Sequence, residues 1–397
     1  MGERPIIIVA GAGIGGLTAA LAIADAGFRV IVIERSSELL EIGAGIQLSP
    51  NAGRVLAGLG LDVAIAASAL EPQAIAVRNG LSGATILSIP AAEFETRYGF
   101  PYRVIHRAEL QAVLSGAVRR RSDIRLILGT RIEDVLARGD SLFVRTRGNE
   151  GSEVLTAAGI VGADGVWSET RSRVAGARPS VATGRTAWRT VIPVDNAPPS
   201  LAIDRVGLWL GPKAHLVHYP VARGAAINVV AIIEESFDKP GWAAHANYRW
   251  MAERFRDWCG EVRALVSAPS PWQKFAINVV DPGGRWTEGR IALLGDAAHA
   301  MVPFLAQGAA MAIEDAAILG RTLAATADDV PAAFAAYEAD RKPRVTKVWK
   351  AARRTGDHYH QTGLIAAARD FILRTAGPQL VLRRNDWIYG WQDRLAG

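Results

Sequence analysis

The feature that most constrains the fold is PIIIVAGAGIGGLTAALAIADAGFRVIVIER, residues 5–35 of the 397-residue chain. The apolar run Ile6–Ala10 predicts a buried parallel strand. Glycines with G-x-G-x-x-G spacing follow, and after them come a helix-forming stretch, Leu17–Ala26, and a second apolar run, Phe28–Ile33. Strand, glycine turn, helix and strand in this order predict the start of a doubly wound α/β fold.

Each glycine of the turn has its own role in binding a dinucleotide. Gly11 permits the tight turn, Gly13 lets the backbone approach a pyrophosphate, and Gly16 lets the helix pack on the strand. The helix N-terminus offers unpaired N–H groups to the phosphates. Glu34, at the end of the second strand, can accept hydrogen bonds from the ribose hydroxyls of an adenosine. The segment therefore predicts an adenine dinucleotide, and by itself leaves NAD and FAD open.

Two later segments favour FAD. Residues 104–120, VIHRAELQAVLSGAVRR, place an arginine at the start of a helix, and residues 160–171, IVGADGVWSETR, form a short apolar strand that ends in Asp164–Gly165. A plain NAD domain needs neither segment. A flavin is a longer ligand, so more loops must converge on it.

Four stretches together resemble a known family. They are GAGIGG at 11–16, HRAEL at 106–110, GADGVWSETR at 162–171 and GDAAHAMVPFLAQGAAMAIEDA at 295–316. Their order and spacing resemble the single-component FAD-dependent aromatic hydroxylases, the p-hydroxybenzoate hydroxylase-like family. Residues 43–61 and 385–391 are similar to its salicylate and 3-hydroxybenzoate hydroxylase branch. The resemblance spans nearly the whole chain. It implies an α/β fold in which a doubly wound, Rossmann-like FAD-binding domain carries an inserted, mainly antiparallel substrate sheet and C-terminal helices.

The resemblance also implies where the flavin is held. Asp296 is expected to accept a hydrogen bond from the ribityl chain. The turn Gln307–Ala310 is expected to direct backbone N–H groups at the N1–O2 edge of the isoalloxazine, where reduced flavin carries negative charge. The family often has Asn at the position of Ala310, so a side-chain contact is lost there and a backbone contact is expected to remain. Arg107 is expected near the pyrophosphate. Asp164 is expected to serve FAD and the nicotinamide cofactor, with a plain turn former as its alternative.

The complete set of expected FAD contacts combines loop glycines, polar side chains and the small residues of the last turn: Gly11, Gly13, Gly15, Gly16, Glu34, Arg35, Gln47, Arg107, Asp164, Asp296, Gly308, Ala309 and Ala310. Only one dinucleotide fingerprint is present, so NADH or NADPH is expected to visit as a transient co-substrate. The resemblance favours NADH, although no residue decides between the two.

Residues 181–280 lack the dinucleotide pattern and predict an antiparallel sheet. The strand-like runs are Val206–Leu210, Ala214–Pro220, Ala226–Ile233 and Phe275–Val280. By resemblance this sheet covers the flavin, together with residues near 73–100, and forms the substrate chamber.

HLVHYPV, residues 215–221, is the polar break in that sheet. Alternation places His215 and Tyr219 on one face and His218 on the other. Members of the branch carry a His and a Tyr four residues apart that face the substrate. The resemblance therefore implies His215 as the base that draws the proton from a phenol, with Tyr219 and Gln307 orienting the substrate. A sheet His satisfied by a backbone carbonyl and a Tyr that fills the core are the alternatives.

One proline and three histidines remain as candidate residues. Pro303 is expected to form part of the pocket wall. His299 is expected to be structural, because the flavin contacts fix its loop. His358 and His360 form an H-x-H pair, but two residues apart on a helix they point in different directions. No metal-site spacing such as HExxH or CxxC occurs, so no metal is predicted.

The predicted function is hydroxylation of a phenolic aromatic acid, of the salicylate or 3-hydroxybenzoate type, with NAD(P)H and O2. The resemblance implies that a flavin C4a-hydroperoxide transfers its terminal oxygen to an electron-rich ring carbon. Two alternatives stay open. One is a flavin monooxygenase of another ring, such as a hydroxynicotinate, a urate-like compound or a polycyclic natural product. The other is a flavin protein that binds an aromatic compound without turnover.

The composition of the chain restricts the kinds of binding partner that are expected. A net charge of +6 favours anionic small molecules, and Lys and Arg are spread along the chain rather than concentrated as in a nucleic-acid binder. The basic stretch Arg341–Arg354 is a candidate for weak contact with an anionic membrane. The single cysteine, Cys259, excludes an intramolecular disulfide, and no apolar run is long enough to span a bilayer. A cytoplasmic monomer or homodimer is expected.

These patterns divide the chain into three parts. Residues 1–72, 98–180 and 281–330 are expected to form a discontinuous FAD-binding domain. Residues 73–97 and 181–280 are expected to form the substrate sheet, and residues 331–397 a C-terminal helical region.

Overall fold

A computed structural model of the protein describes residues 4–39, 45–149, 151–235, 244–246, 248–268, 270–326 and 328–393. The strands are β1 (Ile6–Ala10), β2 (Arg29–Ile33), β3 (Gly45–Leu48), β4 (Ala74–Asn79), β5 (Thr85–Pro90), β6 (Arg103–His106), β7 (Ile124–Ile127), β8 (Arg131–Arg138), β9 (Ser141–Gly148), β10 (Gly151–Ala157), β11 (Gly159–Gly162), β12 (Ser180–Pro193), β13 (Val206–Gly211), β14 (Ala214–Val221), β15 (Ala226–Glu234), β16 (Ala244–Ala246), β17 (Trp272–Val280), β18 (Thr287–Glu288) and β19 (Ile291–Leu293). The α-helices are α1 (Ile14–Asp25), α2 (Pro50–Gly58), α3 (Asp62–Ser68), α4 (Ala92–Tyr98), α5 (Arg107–Arg119), α6 (Tyr248–Arg254), α7 (Gly260–Ser267), α8 (Asp296–His299), α9 (Gly308–Ala325), α10 (Val330–Tyr359), α11 (Gly363–Arg384) and α12 (Asp386–Tyr389).

The first sheet has six strands in the order β18-β19-β11-β1-β2-β7. All of its pairs are parallel except β18 with β19. Strand β1 lies in the middle and is apolar on both faces, as a parallel strand covered on both sides must be. Helices α5 and α9 pack on α1 above it. The predicted doubly wound α/β fold is confirmed.

Helix α1 begins three residues before the predicted start. The prediction missed these residues because two of them are glycines. A Cβ atom on Gly16 would stand 2.0 Å from the carbonyl oxygen of Gly11, and one on Gly15 would stand 2.9 Å from the Leu294 side chain. Small residues here let the helix lie directly against the turn and against the strand that precedes α8. The first turn of α1 therefore lies closer to the glycine turn than the sequence predicted.

The second sheet has eight strands in the order β16-β17-β12-β15-β14-β13-β4-β5. Its pairs are antiparallel except β13 with β4. The four predicted runs are present as β13, β14, β15 and β17, with ends that differ by three residues or fewer. Strand β12 was not predicted, because its sequence, SVATGRTAWRTVIP, contains threonines, arginines and a glycine that suggest a loop. It nevertheless lies inside the sheet, and the mainly antiparallel character is confirmed.

Helix α10 holds the two sheets together. Its N-terminal part, with Val330, Phe334 and Val345, belongs to the core of the first sheet. Its second half, with Trp349 and Ala352, packs with residues of β12, β15 and β17. After α11 and α12 the chain returns to the first core, where Trp387 and Trp391 pack. The division into three domains stays a prediction, since α10 contacts both sheets.

Candidate active site

One cavity of about 330 Å³ lies between the glycine turn after β1 and the second sheet. Its walls come from both halves of the molecule. The first wall comprises Gly13, Ile14, Gly15, Arg107, Ala163, Gly165, Leu294, Gly295, Asp296, Met301, Pro303, Ala306, Gly308, Ala309 and Ala312. The opposite wall comprises Gly45, Ile46, Gln47, Arg189, His215, Val217, Tyr219, Val230 and Ile232.

The glycine turn has the geometry that a pyrophosphate requires. Gly11 has φ +106°, and a Cβ atom there would stand 2.5 Å from the Ala163 carbonyl oxygen. A Cβ atom on Gly13, by contrast, would have no atom of the protein within 4 Å. Gly11 and Gly16 are therefore fixed by packing within the turn, whereas Gly13 leaves open space on the side of the cavity. A phosphate group fits this space.

The acid at the end of β2 is held beside the turn. Glu34 Oε2 accepts a hydrogen bond from the backbone N–H of Ala12 at 2.9 Å, and Oε1 accepts one from Ser36 at 2.9 Å. The carboxylate is thus fixed beside the glycine turn without lining the cavity, and its contact with an adenosine ribose stays a prediction. Arg35 is exposed and does not line the cavity, so its contact with FAD stays a prediction.

The turn before α9 presents backbone donors to the cavity. Helix α9 begins at Gly308 without a side-chain cap and with no acidic residue in its first turn. The preceding Ala306 has φ +52°, a left-handed conformation that places Gly308 and Ala309 on the cavity wall. Ala310 is buried, so it offers only its backbone. Uncapped N–H groups and the positive end of the helix dipole suit the anionic edge of a reduced flavin.

The other polar residues predicted to contact FAD surround the same cavity. Arg107 lies at the first position of α5, Gln47 lies on β3, and Asp296 is exposed at the start of α8. All three line the cavity. Gln47 Oε1 accepts a hydrogen bond from Tyr102 at 2.6 Å, which fixes its amide.

Asp164 has the contacts of a turn former and one carboxylate oxygen to spare. Its Oδ2 atom accepts hydrogen bonds from the backbone N–H and the hydroxyl of Thr170, both at 3.0 Å, as a turn former does. Its Oδ1 atom is buried without a hydrogen-bond partner among the described residues. Buried carboxylate oxygens are normally satisfied, so this atom is suited to a ligand donor. Together with the open space at Gly13, these residues fit FAD.

His215 and Tyr219 lie on the opposite wall, as alternation predicted. Burial lowers the pKa of His215 well below its ordinary value, and the nearby His360 and Arg185 lower it further. The imidazole is therefore neutral and can accept a proton. Burial raises the pKa of Tyr219, more than the nearby Arg189 and Gln47 lower it, so the phenol keeps its proton and can donate a hydrogen bond. His218 faces the other side and is bonded to Trp209.

Gln307 lies behind the cavity wall rather than on it. Its Nε2 donates to Ser49 Oγ at 3.0 Å, and its Oε1 accepts from Asn51 Nδ2 at 3.0 Å. Asn51 in turn donates to Glu314 at 2.8 Å. The amide of Gln307 thus joins the start of α9 to α2. Its role in orienting a substrate stays a prediction from the sequence, and the adjacent Gly308 is the residue that meets the cavity.

His299 has a structural environment. Its Nε2 lies 2.6 Å from Asp315 Oδ2, and both residues are buried. Asp315 Oδ2 also accepts from the backbone N–H of Gly295, and Oδ1 accepts from Arg341 at 2.7 Å. Burial raises the pKa of Asp315, but His299 and Arg341 lower it to a net value below the ordinary range. This buried network fixes the loop that carries Asp296.

Two residues of the site were missed by sequence reasoning. Arg189, on the unpredicted strand β12, lines the cavity with its guanidinium 5.3 Å from the ring centroid of Phe275. His360 follows the last residue of α10 and contacts His215 rather than pointing away as part of an H-x-H pair on a helix. The one sequence signal for Arg189 is its spacing of four residues from Arg185 in GRTAWRT, which places both arginines on one face of a strand. No local pattern indicated His360.

The basic stretch Arg341–Arg354 presents less charge than its sequence suggests. Arg341 is fully buried between Glu314 and Asp315, and Arg344 pairs with Glu314 at 2.6 Å. These two cations face the protein interior, so the proposed contact with an anionic membrane would have to rest on the remainder of the stretch.

Among the described residues, no helix is long and apolar enough to cross a membrane, and no group of three or more His, Cys, Asp or Glu side chains could hold a metal ion.

The doubly wound sheet, the glycine turn and the uncapped helix start that meet in one cavity define an FAD-binding protein. The model of the FAD-binding domain family matches residues 4–352, so the chain belongs to this family. The predicted recognition is confirmed.

Named relatives cover almost the full chain. The chain is 33% identical over 386 residues to a 3-hydroxybenzoate 6-hydroxylase of Polaromonas naphthalenivorans, with 97% of this chain and 96% of that protein covered. It is 36% identical to the 3-amino-4-hydroxybenzoate 2-monooxygenase PtmB3 of Streptomyces platensis, with 100% and 98% covered. The crystal structure of Klebsiella pneumoniae HpxO with FAD and uric acid is similar with a TM-score of 0.83 and 27% identity, and 96% of this chain and 95% of that chain are covered.

Proposed function

We propose that this protein is an FAD-dependent monooxygenase that hydroxylates a phenolic aromatic acid, with NAD(P)H and O2 as co-substrates. The observation that carries the proposal is the single cavity that joins the FAD turn to His215, Tyr219 and Arg189. A ligand on the sheet side of this cavity lies directly against a flavin on the other side. The relatives named for hydroxylation of hydroxybenzoates support this substrate class.

FAD would be held by Glu34 at the ribose, Gly13 and Arg107 at the pyrophosphate, Asp296 at the ribityl chain and the N–H groups of Gly308–Ala310 at the isoalloxazine. When bound and reduced by NAD(P)H, FAD activates O2 and supplies the oxygen atom for the ring. The first turn of α9 stabilises negative charge at this edge because its dipole and donors are already oriented.

His215 activates the substrate. Its neutral imidazole takes the proton of the phenolic hydroxyl, and the negative charge that remains flows into the ring and makes its carbons more nucleophilic. Tyr219 donates a hydrogen bond that orients the polar groups of the ring. Pro303 and Met301 close the wall beside the flavin side of the cavity.

Arg189 supplies recognition of the acid. It stands on the same wall as His215, and its guanidinium is the cation that the sheet contributes to the cavity lining. Arginine pairs with carboxylates through two parallel hydrogen bonds. Arg189 and His215 lie on β12 and β14, on either side of β15, so the cavity lining offers separate positions for a carboxylate and a hydroxyl.

The test is a panel of hydroxybenzoates, hydroxynicotinates, urate and carboxylate-free phenols, scored for stimulated NADH and NADPH consumption and for product mass. The expected result is stimulation by hydroxybenzoates and a product with one added oxygen. Stimulation by urate or hydroxynicotinates alone would shift the substrate to another ring. Binding without any stimulated NADH or NADPH consumption would show a non-catalytic aromatic binder and contradict the proposal.

Arg189→Met separates recognition of the acid from the chemistry. Loss of a charge-assisted pair costs about 1.5–3 kcal/mol, so KM for hydroxybenzoates should rise about 10- to 100-fold. KM for a phenol without a carboxylate should change little. Equal loss for both compounds would place the carboxylate elsewhere.

A further inference from the structure

A chain of hydrogen bonds leads from the cavity to the surface through His215. His215 Nδ1 lies 2.9 Å from His360 Nε2. His360 Nδ1 lies 2.8 Å from Glu234 Oε1. These three side chains come from β14, from the residue after α10 and from the last position of β15. The tertiary fold alone brings them together.

Burial decreases steadily along this chain. His215 is 2% exposed and His360 7%, whereas the Glu234 side chain is 35% exposed. The His215 end of the chain is therefore buried, and the Glu234 end is open to water. A proton that leaves the cavity through His215 reaches solvent after three transfers, to His360, to Glu234 and then to water.

The protonation states fit such a transfer. Burial raises the pKa of Glu234, but His360 and Arg185 lower it to a net value below the ordinary range, so Glu234 is an anion that only accepts. Burial lowers the pKa of His360, against the raising effect of Glu234, and both imidazoles are neutral. His360 then carries its proton on Nδ1 and directs a lone pair from Nε2 at His215. His215 must carry its own proton on Nδ1, which leaves Nε2 as an acceptor.

Neighbouring side chains pack against the His215 ring and surround the exposed end of the chain at Glu234. Phe304 and Tyr359 contact the His215 ring edge-on, with centroids 5.2 and 5.3 Å away. Arg185 lies 3.4 Å from Glu234 and 3.1 Å from Asp357. Arg185 and Asp357 are therefore the other charged groups at the exit. His215 Nε2 has no hydrogen-bond partner among the described residues, so the tautomer leaves it available to a ligand.

We propose that His360 and Glu234 form a proton relay that carries the phenolic proton of the substrate from His215 to solvent. The proposal rests on the proposed function, because it takes that substrate to be a phenol. His215 Nε2 accepts the phenolic proton while its Nδ1 proton passes to His360 Nε2. The Nδ1 proton of His360 passes to Glu234, which releases it to water. The substrate becomes a phenolate, no residue keeps a net charge change, and the reverse sequence restores the proton when the product forms.

The test follows the proton directly, without turnover. The FAD-loaded protein is mixed with 5-hydroxy-2-nitrobenzoate, a phenolic acid whose phenolate absorbs strongly in the violet, and is taken from mildly acidic to neutral pH in a stopped-flow instrument. The rate of phenolate appearance in the bound probe measures how fast the proton leaves it. His360→Ala should slow it about 100-fold, with the dissociation constant of the probe changed little. Added imidazole should restore part of the rate.

Glu234→Gln provides a second variant that conserves shape. Its amide oxygen can still accept from His360, but it cannot take up a proton, so phenolate formation should again be slow. His358→Ala is the matched control, because His358 is an exposed histidine two residues from His360. Its rate should equal that of the wild type.

The outcomes separate the two proposals. A probe that binds, with phenolate formation equally fast in His360→Ala, Glu234→Gln and the wild type, would contradict the relay and leave the proposed function intact. Failure of the wild-type holoenzyme to bind this probe and hydroxybenzoates alike would contradict the proposed function and the relay with it. Slow exit in both variants, with imidazole rescue of His360→Ala, is the expected result.

Discussion

At the scale of single residues, the glycines of the first turn divide into two kinds. Gly16 is required by the protein itself, since its Cβ atom would collide with the Gly11 carbonyl. Gly13 has an ordinary extended backbone, with φ −72° and ψ −179°, and open space around it. Packing therefore explains Gly16, whereas no packing contact requires Gly13, whose open space suits a ligand.

The substitution Gly13→Ala should weaken FAD binding by about tenfold or more, because a methyl group would occupy the space of the pyrophosphate. The melting temperature of the FAD-free protein should stay within about 1–2 °C. Fluorescence titration with FAD and thermal melting measure the two effects. Gly16→Ala is the control and should lower the melting temperature of the FAD-free protein itself. Unchanged FAD affinity in Gly13→Ala would place the pyrophosphate elsewhere.

His218 should make stability dependent on pH. Burial lowers the pKa of His218 to about 4, with Nδ1 accepting from Trp209 at 3.0 Å. In the unfolded chain the pKa is about 6.5, so the unfolded state binds more protons below that pH. The contribution is complete above about pH 6.5 and is lost as pH falls towards 4, to a total of about 3 kcal/mol.

Urea unfolding of the wild type and of His218→Asn, compared between pH 6.5 and 4.5, measures this loss. Asn can replace the acceptor but does not titrate. The variant should therefore lose less free energy of unfolding than the wild type over the interval, by about 2–3 kcal/mol. Identical losses in the two proteins would show that His218 is not held neutral.

At the scale of elements, the start of α9 determines the electrostatics of the flavin site. The substitution Ala309→Asp places a carboxylate where the N–H groups face the anionic edge of the reduced flavin. An acid is compatible with a helix N-terminus, so folding should be unaffected. Repulsion should lower the two-electron potential of bound FAD by about 30 mV, which corresponds to about 1.4 kcal/mol. Redox titration measures it, with the neutral Ala309→Asn as control. An equal potential in both variants would place the ring away from α9.

The contact between α9 and α10 depends on a buried cation. Arg341 Nε lies 2.7 Å from Asp315, Nη1 lies 2.8 Å from Glu314, and all three side chains are fully buried. Arg341→Met would leave two buried carboxylates without this partner and should cost about 3–5 kcal/mol. Chemical denaturation measures the loss. Arg354→Met, an exposed change on the same helix, should stay within about 0.5 kcal/mol. Similar costs for both would contradict the role of the network.

The elements that sequence patterns predicted are those with a local signal. The glycine turn, α1, α5 and the strands β13–β15 have characteristic residue spacings or continuous apolar runs, which can be recognised in the sequence. Strand β12 shows none, because one of its faces meets a polar cavity and the other a protein core, so Arg189 and Trp188 alternate without a clean apolar stripe. His360 became part of the site only through the long helix α10, whose packing no local pattern encodes. Gln307 was placed in the correct turn, but its amide direction depends on Ser49 and Asn51, more than 250 residues away.

At the scale of the whole molecule, the site exists because the segments that follow β1, β11 and β19 of the first sheet meet residues of the second sheet across a cavity. The first sheet supplies residues for FAD, the second supplies His215, Tyr219 and Arg189, and α10 spans both. The same helix ends beside His215 and delivers His360 to it. A substrate enclosed there would be separated from water, while its proton could still leave.

The most direct test of this arrangement is a single turnover of the FAD-loaded protein with NADH and 3-hydroxybenzoate under ¹⁸O2, followed by mass spectrometry of the product. The flavin and the phenol are predicted to share one cavity, so the product should be a dihydroxybenzoate that carries one ¹⁸O atom. Consumption of NADH with only hydrogen peroxide formed, for this acid and for every phenolic acid that binds, would contradict the account.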